Sequence, residues 1–174
     1  MDNKFDVILI GNTLGIYMCS IYLKTSNLKH LVICVEDPKD CDFEGFDKVA
    51  GVLDIKDQQD LIHKLKLQAG NLKAEVRDER IVQIGYDGRY DIKHDKFEIQ
   101  TDKGIYYSKA LVCNKEGLRI ETSGIFDLSD KILFNEAIEL LGNGCKLSFE
   151  AREYCSKLKD VEEEERKNTE ILKF

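Results

Sequence analysis

Several features that mark other classes of protein are missing from this sequence. The six cysteines contain no C-x-x-C pair, and the three histidines are scattered without the spacing of metal ligands. No apolar run approaches the length of a membrane span, and the first residues lack the features of a signal peptide. These absences predict a cytoplasmic protein that is not embedded in a membrane and holds no metal.

The cysteines lie mostly in apolar runs, which favours reduced thiols in a core. Cys34 and Cys113 fall in strand-like runs, and Cys19 and Cys145 fall in helix-like runs. Cysteine behaves as a small apolar residue in such positions. A zinc site or a redox pair is the alternative.

The chain is moderately acidic, with a net charge of -7 over 174 residues. This balance argues against binding nucleic acid by bulk charge, so we expect no DNA partner. Lysine-rich stretches near Lys64 and Lys157 would permit a local contact with RNA or acidic protein, and the alternative is that they are solvated. The length fits one domain with a proper core.

The strongest pattern is a β-α-β unit at the start of the chain. An apolar strand at residues 5–10 ends at Gly11, an apolar helix follows at residues 16–23, and a second strand at residues 30–35 precedes Glu36. This order is typical of the opening unit of a dinucleotide-binding fold, in which an acidic residue after the second strand binds a ribose hydroxyl.

The glycine fingerprint of that unit is damaged. The three glycine positions of G-x-G-x-x-G fall on Gly11, Thr13 and Ile16, so only the first is retained. Thr13 places a β-branched side chain where the backbone would approach a pyrophosphate, and Ile16 adds bulk where helix and strand would pack closely. Gly15 lies one residue too early to compensate. We therefore predict a tight turn that no longer holds a dinucleotide, and a working nucleotide cradle is the alternative.

The remaining elements are predicted from periodicity and turn residues. A helix is expected at residues 58–68, and a short strand at residues 124–126. Ser129 and Asp130 could cap a last helix at residues 133–158, in which Gly142 and Gly144 indicate a bend or a very close contact. The strands expected between these helices are an antiparallel meander at residues 72–77, 80–86, 96–101 and 104–108, with turns at 87–88 and 103–104, and a buried parallel strand at residues 110–113.

We expect the chain to divide at residue 158, with one dinucleotide-binding-type domain at residues 1–158. Residues 159–174 are expected to form a charged C-terminal extension that is helical or disordered. Four consecutive glutamates in the extension would be expensive to desolvate. Because Ile171, Leu172 and Phe174 are nevertheless large and apolar, we expect them to dock into a partner, and a solvated tail is the alternative.

The order of these segments resembles thioredoxin reductases of the pyridine-nucleotide-disulfide oxidoreductase family. Residues 5–11, 21–23 and 27–29 resemble the family's N-terminal FAD segment, and residues 43–46 resemble its F-P-G-F. Residues 124–130 resemble G-V-F-A-x-G-D, and residues 142–145 with 150–151 resemble the helix after it. The resemblance implies an α/β, Rossmann-like FAD-domain fold in a single domain, with a parallel sheet, helices and an antiparallel β-meander on one face. It implies that residues 1–158 form a degenerate FAD-binding-type Rossmann domain.

The departures from the family concentrate on positions that perform chemistry. The family inserts an NADPH-binding domain with the redox-active C-x-x-C between the halves of its FAD domain, whereas about a dozen residues stand there in this chain. The family's acidic residue at the second strand aligns best with Cys34, two places before Glu36. Asp130 keeps the position that binds the flavin's ribityl-phosphate region, and a helix cap is an equal alternative.

An intact core pattern with a damaged cradle predicts a non-catalytic protein that binds a macromolecular complex. One candidate partner is the ribosome, which would make the chain a dormancy or silencing factor. No cofactor is expected. The vestigial cofactor positions Gly11, Gly15, Glu36 and Asp130 would serve only if a nucleotide binds. The alternative is a flavin- or nucleotide-binding protein without reductase activity, with FAD as its cofactor.

Overall fold

The computed structural model of the chain describes residues 3–35, 41–86, 96–114, 122–129 and 132–171, with the backbone alone described at residues 162 and 164–171. Strands and helices alternate from β1 to β3, as the apolar periodicity predicts. The elements are β1 Lys4–Ile10, α1 Leu14–Lys24, β2 His30–Cys34, α2 Gln58–Asn71, β3 Glu75–Asp78, β4 Ile81–Tyr86, β5 Phe97–Thr101, β6 Ile105–Cys113, β7 Ile125–Asp127 and α3 Ala137–Ile171, with a short 3-10 helix at Phe46–Lys48.

The strands form one mixed sheet in the order β3-β2-β1-β6-β5-β4, and β7 pairs with β6. The strands β3, β2, β1, β6 and β7 run parallel, whereas β4, β5 and β6 pair antiparallel. The long strand β6 joins the two regions. Its first half pairs with β5, its last three residues pair with β7, and β1 lies along its other edge.

Two predicted strand assignments are corrected by this topology. The strand expected in the meander at residues 72–77 is β3, which pairs parallel with β2. A strand that returns to a sheet after a helix forms a parallel crossover, and α2 supplies that helix here. The strands expected at residues 104–108 and 110–113 are one strand, because β6 continues through Lys109. The predicted turn at residues 87–88 lies outside the described residues.

Apolar side chains pack on both faces of the parallel strands. In β1, Val7 and Leu9 join the cluster that includes the helices, whereas Ile8 joins a cluster with Leu111 of β6 and Phe97 of β5. All five side chains are fully buried. Burial on both faces explains why these strands appear in the sequence as continuous apolar runs, since parallel strands are usually covered on both sides.

The start of α3 differs from the prediction. The helix begins at Ala137 and is not capped by Ser129, whose hydroxyl donates to the Oδ1 atom of Asp127 at 2.7 Å. Asp130 lies outside the described residues. The carboxylate of Glu139 instead accepts hydrogen bonds from the backbone N–H groups of Leu133, Phe134 and Asn135, at 2.7, 2.8 and 3.1 Å. These bonds hold the preceding residues in a loop, which delays the first helical turn.

The end of α3 also lies further along than predicted, because the helix continues to Ile171. Cys155 is the last fully buried side chain among those that the structure describes in this helix, and the side chains of Lys159, Asp160, Val161 and Glu163 are exposed. Within the described residues, no helix combines the length and the apolar character that a membrane crossing requires.

Candidate functional site at the carboxyl edge of the sheet

A cavity of about 510 Å³ opens where β1, β2 and β6 end. The chain leaves β1 toward β2 on one side of the sheet, and it leaves the neighbouring strand β6 toward β7 on the other side. The cavity therefore lies at a topological switch point, where open α/β sheets bind their ligands. Its volume falls within the usual range for small-molecule sites. Side chains from several elements line it, among them Ile10, Thr13, Val35, Phe43, Ile81, Ile84, Cys113, Leu128, Ser129, Asn135 and Leu140.

The turn between β1 and α1 brings the predicted cradle residues to this cavity. Gly11 has a φ of 137°, a conformation that glycine adopts readily, and its N–H donates to the carbonyl oxygen of Ile33 at 3.0 Å. A Cβ atom at Gly11 would lie 3.3 Å from the Cγ1 atom of Ile16, whose side chain is fully buried. The bulk predicted at Ile16 therefore lies directly against the one retained glycine.

Thr13 caps the N-terminus of α1. Its hydroxyl oxygen accepts a hydrogen bond from the backbone N–H of Ile16 at 3.3 Å. The first N–H groups of a helix have no partner within the helix, which is why helix N-termini bind phosphates. In this chain one of those donors, the N–H of Ile16, already bonds to the hydroxyl of Thr13. A phosphate oxygen at this position would have to compete with that hydroxyl.

Gly15 also lines the cavity, but its contacts are those of a packing residue. A Cβ atom there would lie 2.8 Å from the Cδ2 atom of Leu128 and 3.3 Å from the carbonyl oxygen of Leu140. A Cβ atom on Gly144 would lie 2.2 Å from the carbonyl oxygen of Gly15. The close contact predicted for the glycines of the last helix is therefore confirmed at Gly144, which touches α1.

The end of β2 carries a thiol where a dinucleotide fold places its acidic residue. The hydroxyl of Tyr17 donates to the Oδ1 atom of Asn12 at 2.6 Å and lies 3.5 Å from the sulfur of Cys34. The Nζ atom of Lys66 lies 3.5 Å from the same sulfur and 2.8 Å from the Oδ1 atom of Asp78. This network joins α1, β2, α2 and the end of β3.

The electrostatics of that network favour a neutral thiol beside an ion pair. Burial raises the pKa of Cys34, against the opposing effect of the Tyr17 hydroxyl. The hydrogen bond from Lys66 lowers the pKa of Asp78. Because the thiolate is the reactive form of cysteine, a raised pKa makes Cys34 a poor nucleophile at neutral pH. The network therefore has the character of a structural contact.

Three of the other thiols, those of Cys19, Cys113 and Cys155, are buried, and none of the six cysteines forms a disulfide. Burial raises the pKa of Cys155 to about 12 and raises that of Cys19 as well. Across the part of the chain that the structure describes, no group of three or more histidine, cysteine, aspartate or glutamate side chains could hold a metal ion.

The structure brings together only some of the predicted site residues. Gly11 and Gly15 line the cavity, whereas Glu36, Asp130, Leu172 and Phe174 lie outside the described residues, and Ile171 is described by its backbone alone. The prediction that these positions bind a cofactor or a partner stays a prediction.

Several lining residues were missed by the sequence analysis. Phe43 lies in the segment that resembles F-P-G-F, so the resemblance offered a signal for it. Ile81 and Ile84 of β4 offered none, because their place at the cavity depends on how the antiparallel strands join the sheet.

Comparison with known proteins identifies the fold of this chain. No protein-family model matches the sequence, and no curated protein matches it. A thioredoxin reductase from Gloeobacter violaceus is 20% identical with a TM-score of 0.51, covering 65% of this chain and 37% of that chain. The atypical thioredoxin reductase TRi from Desulfovibrio vulgaris Hildenborough is 22% identical with a TM-score of 0.51, covering 72% of this chain and 40% of that chain.

Further solved structures agree, among them a thioredoxin reductase from Giardia duodenalis, which is 18% identical with a TM-score of 0.50 and coverages of 64% and 35%. This chain therefore spans well under half the length of those proteins. At such identities the similarity establishes the fold alone. It confirms the predicted resemblance and the predicted fold class: the chain is thioredoxin reductase-like, with a single Rossmann-like α/β domain of the FAD-domain type.

Proposed function

We propose that this chain is a non-catalytic cytoplasmic protein that binds a macromolecular partner through its thioredoxin reductase-like scaffold. The observation that carries the proposal is the hydrogen bond from the N–H of Ile16 to the hydroxyl of Thr13. Thr13 caps the N-terminus of α1, and Ile16 packs against Gly11. Both contacts favour a scaffold without a bound dinucleotide over a dinucleotide site at this turn.

The sequence between the last two strands also favours a non-catalytic role. Disulfide reduction through a flavin requires a hydride donor, the flavin and a dithiol arranged in relay. Only residues 114–124 separate β6 from β7, which are too few for the nucleotide domain that the resemblance implies at this point. The sequence also contains no C-x-x-C pair that would serve as the dithiol.

Two exposed apolar side chains support partner binding. Leu133 and Phe134 are 79% and 77% exposed, and the three hydrogen bonds to Glu139 hold their backbone in place. Large apolar groups on a fixed backbone bind at a low cost in conformational entropy, which is characteristic of interface anchors. The apolar tail residues Ile171, Leu172 and Phe174 are the second candidate contact, and the ribosome is the first partner to test.

Sedimentation of extracts of the source cells through a sucrose gradient tests this proposal. We expect the protein, traced by antibody, to migrate at moderate salt in fractions much larger than its own 20.0 kDa. Recovery in ribosomal fractions would identify the ribosome. Migration at the size of the free protein would contradict partner binding.

A matched pair of variants tests the surface. Leu133→Gln is expected to weaken the association, whereas Leu53→Gln is not, although both leucines are 79% exposed. An equal effect of the two substitutions would indicate general apolar adhesion and would count against Leu133 as an anchor.

A flavin- or nucleotide-binding protein without reductase activity is the second candidate, and the cavity of about 510 Å³ favours it. The visible absorbance spectrum of the purified protein separates the two candidates. We expect a colourless protein, and a bound flavin at stoichiometric occupancy would favour the second.

A further inference from the structure

The residues before α3 form an apolar projection, made of Leu133 and Phe134. Both side chains are more than three-quarters exposed, at 79% and 77%. The backbone just after them is tied to a second segment of the chain. The N–H of Ala137 donates to the carbonyl oxygen of Glu44 at 2.8 Å, and the N–H of Glu44 donates to the carbonyl oxygen of Asn135 at 3.1 Å. The projection is therefore held next to the segment that contains Glu44.

Four carboxylates, the rim carboxylates, lie beside the projection. Asp42, Glu44 and Asp47 are exposed, and Glu136 faces Glu44 directly in an isolated parallel β-bridge. Like charges directly opposite each other in such a pairing are destabilising. Over the part of the chain that the structure describes, none of the rim carboxylates forms a salt bridge. Lys48 is the single lysine at residues 41–48, so the charge beside the projection is negative.

The lysines that the sequence offers for a contact with RNA are paired within the chain. Lys64, Lys66, Lys157 and Lys159 each lie beside an acidic side chain, at 3.2, 2.8, 2.6 and 3.9 Å. Each of these acidic groups offsets the charge of its lysine, whereas no such pairing offsets the charge of the rim carboxylates. The charge that the protein leaves uncompensated beside its exposed apolar groups is therefore negative.

We propose that the projection docks into an apolar pocket of a basic protein, whose lysine or arginine side chains pair with the rim carboxylates. An apolar centre with a polar, charged rim is the usual anatomy of a protein–protein interface. A basic partner would also relieve the repulsion between Glu44 and Glu136, which the chain alone leaves uncompensated. This inference rests on the proposed function, because it names the kind of partner that the scaffold binds. On a ribosome the contact would fall on a protein, since the rim carboxylates repel RNA phosphates.

Neutralising the two opposed glutamates tests the sign of the partner's charge. Purified, labelled protein is titrated into the large fractions of the sucrose gradient, and the apparent dissociation constant is measured. For the double variant Glu44→Gln, Glu136→Gln we expect binding about fivefold weaker at low salt, with a smaller difference at high salt. A surface of phosphates would bind this variant more tightly than the unmodified protein. Tighter or unchanged binding would overturn the proposal.

Glu98→Gln is the matched control, since Glu98 is an exposed glutamate on β5. We expect this substitution to leave the binding unchanged, and a loss equal to that of the double variant would indicate an effect of net charge and overturn the proposed surface. The double variant removes a repulsion between like charges, so urea denaturation should show it to be at least as stable as the unmodified protein. A weaker association would then not arise from unfolding.

A photo-cross-link from the projection identifies the class of partner directly. In the same fractions, Phe134→benzoylphenylalanine is expected to give an adduct with a protein, and the cross-linked segment should be rich in lysine or arginine. An adduct that ribonuclease removes, or one with an acidic segment, would overturn the proposal. So would the absence of an adduct from protein that still sediments in the large fractions. If the unmodified protein sediments only at its own size, the proposed function fails, and this inference fails with it.

Discussion

Gly15 of α1 and Gly144 of α3 lie so close that a Cβ atom on Gly144 would fall 2.2 Å from the Gly15 carbonyl oxygen. The obstructing atom belongs to the backbone of a helix, so it cannot turn aside as a side chain would. Gly144→Ala is therefore expected to lower the free energy of unfolding by about 1–3 kcal/mol or more, because the two helices must separate.

Gly142→Ala is the control for this substitution. Because its new methyl group meets nothing in the monomer, it is expected to raise the free energy of unfolding by about 0.5–1 kcal/mol. Urea denaturation of both variants measures the difference. Equal effects would show that α1 and α3 are not in close contact at Gly144.

The cap of α1 gives a second prediction. Thr13→Ala removes the oxygen that accepts from the N–H of Ile16 and is expected to destabilise the domain by about 1 kcal/mol, whereas Thr13→Ser keeps the oxygen and most of the stability. If Thr13→Ser is as destabilising as Thr13→Ala, the hydroxyl does not act as a cap.

Restoring a flavin cradle by glycine substitution is limited by the core. Thr13→Gly with Ile16→Gly would reopen two fingerprint positions, but Ile16 is fully buried. Removing such a side chain costs roughly 2–5 kcal/mol, a large share of the stability of a small domain. Thr13→Gly alone is therefore the informative variant, with FAD binding followed by fluorescence, and we expect at most weak binding.

The extent to which the sequence predicts the fold depends on how local each interaction is. Apolar runs in β1 and β2 and the helical period of α2 identify those elements within a few residues. The parallel pairing of β3 is not predictable in this way, because a strand of four residues without a fully buried side chain fits either strand direction. For the end of α3 the sequence left helix and disorder as alternatives, since its charged last turns show no apolar period.

The candidate site shows the same limit. The sequence identifies Gly11 and Thr13 as the altered cradle, because both belong to one turn. The network of Tyr17, Cys34 and Lys66 joins three elements, so no single stretch of sequence indicates it. The sequence indicates a special role for Gly142 and Gly144 alike. Only the packing against α1 shows that glycine is required at Gly144 and not at Gly142.

The buried imidazole of His30 predicts a loss of stability in mild acid. Its Nε2 atom lies 2.9 Å from the hydroxyl of Ser20, and burial lowers its pKa, with a smaller contribution from nearby Lys24 and an opposing one from the Leu28 carbonyl. The unfolded chain therefore binds a proton at a pH where the folded chain does not. Stability should fall as the pH drops below about 6.5, by at most about 1.4 kcal/mol per pH unit.

His30→Gln should remove this part of the pH dependence, whereas His63→Gln, at an exposed position, should keep it. Urea denaturation between neutral pH and mild acid measures the slopes. Parallel slopes for His30→Gln and the unmodified protein would show that His30 is not held neutral by the fold.

Disulfide reductase activity is expected to be absent. With NADPH, added FAD and a disulfide substrate, the homogeneous protein should show no turnover above the background, because the chain has no C-x-x-C pair. The consumption of NADPH, followed by absorbance, measures this. Turnover that a single cysteine substitution abolishes would show that one of the six thiols is reactive after all.

Truncation after Lys159 separates the stability of the domain from the role of the tail. The cut keeps Cys155, whose thiol lies 3.7 Å from the carbonyl oxygen of Asp6, and Lys159, whose Nζ atom lies 3.9 Å from the carboxylate of the same aspartate. Because Asp160, Val161 and Glu163 are exposed, the free energy of unfolding should change by less than about 0.5 kcal/mol. Co-sedimentation with the partner should weaken if Ile171, Leu172 and Phe174 dock there. Unchanged co-sedimentation would exclude the tail and leave Leu133 and Phe134 as the contact.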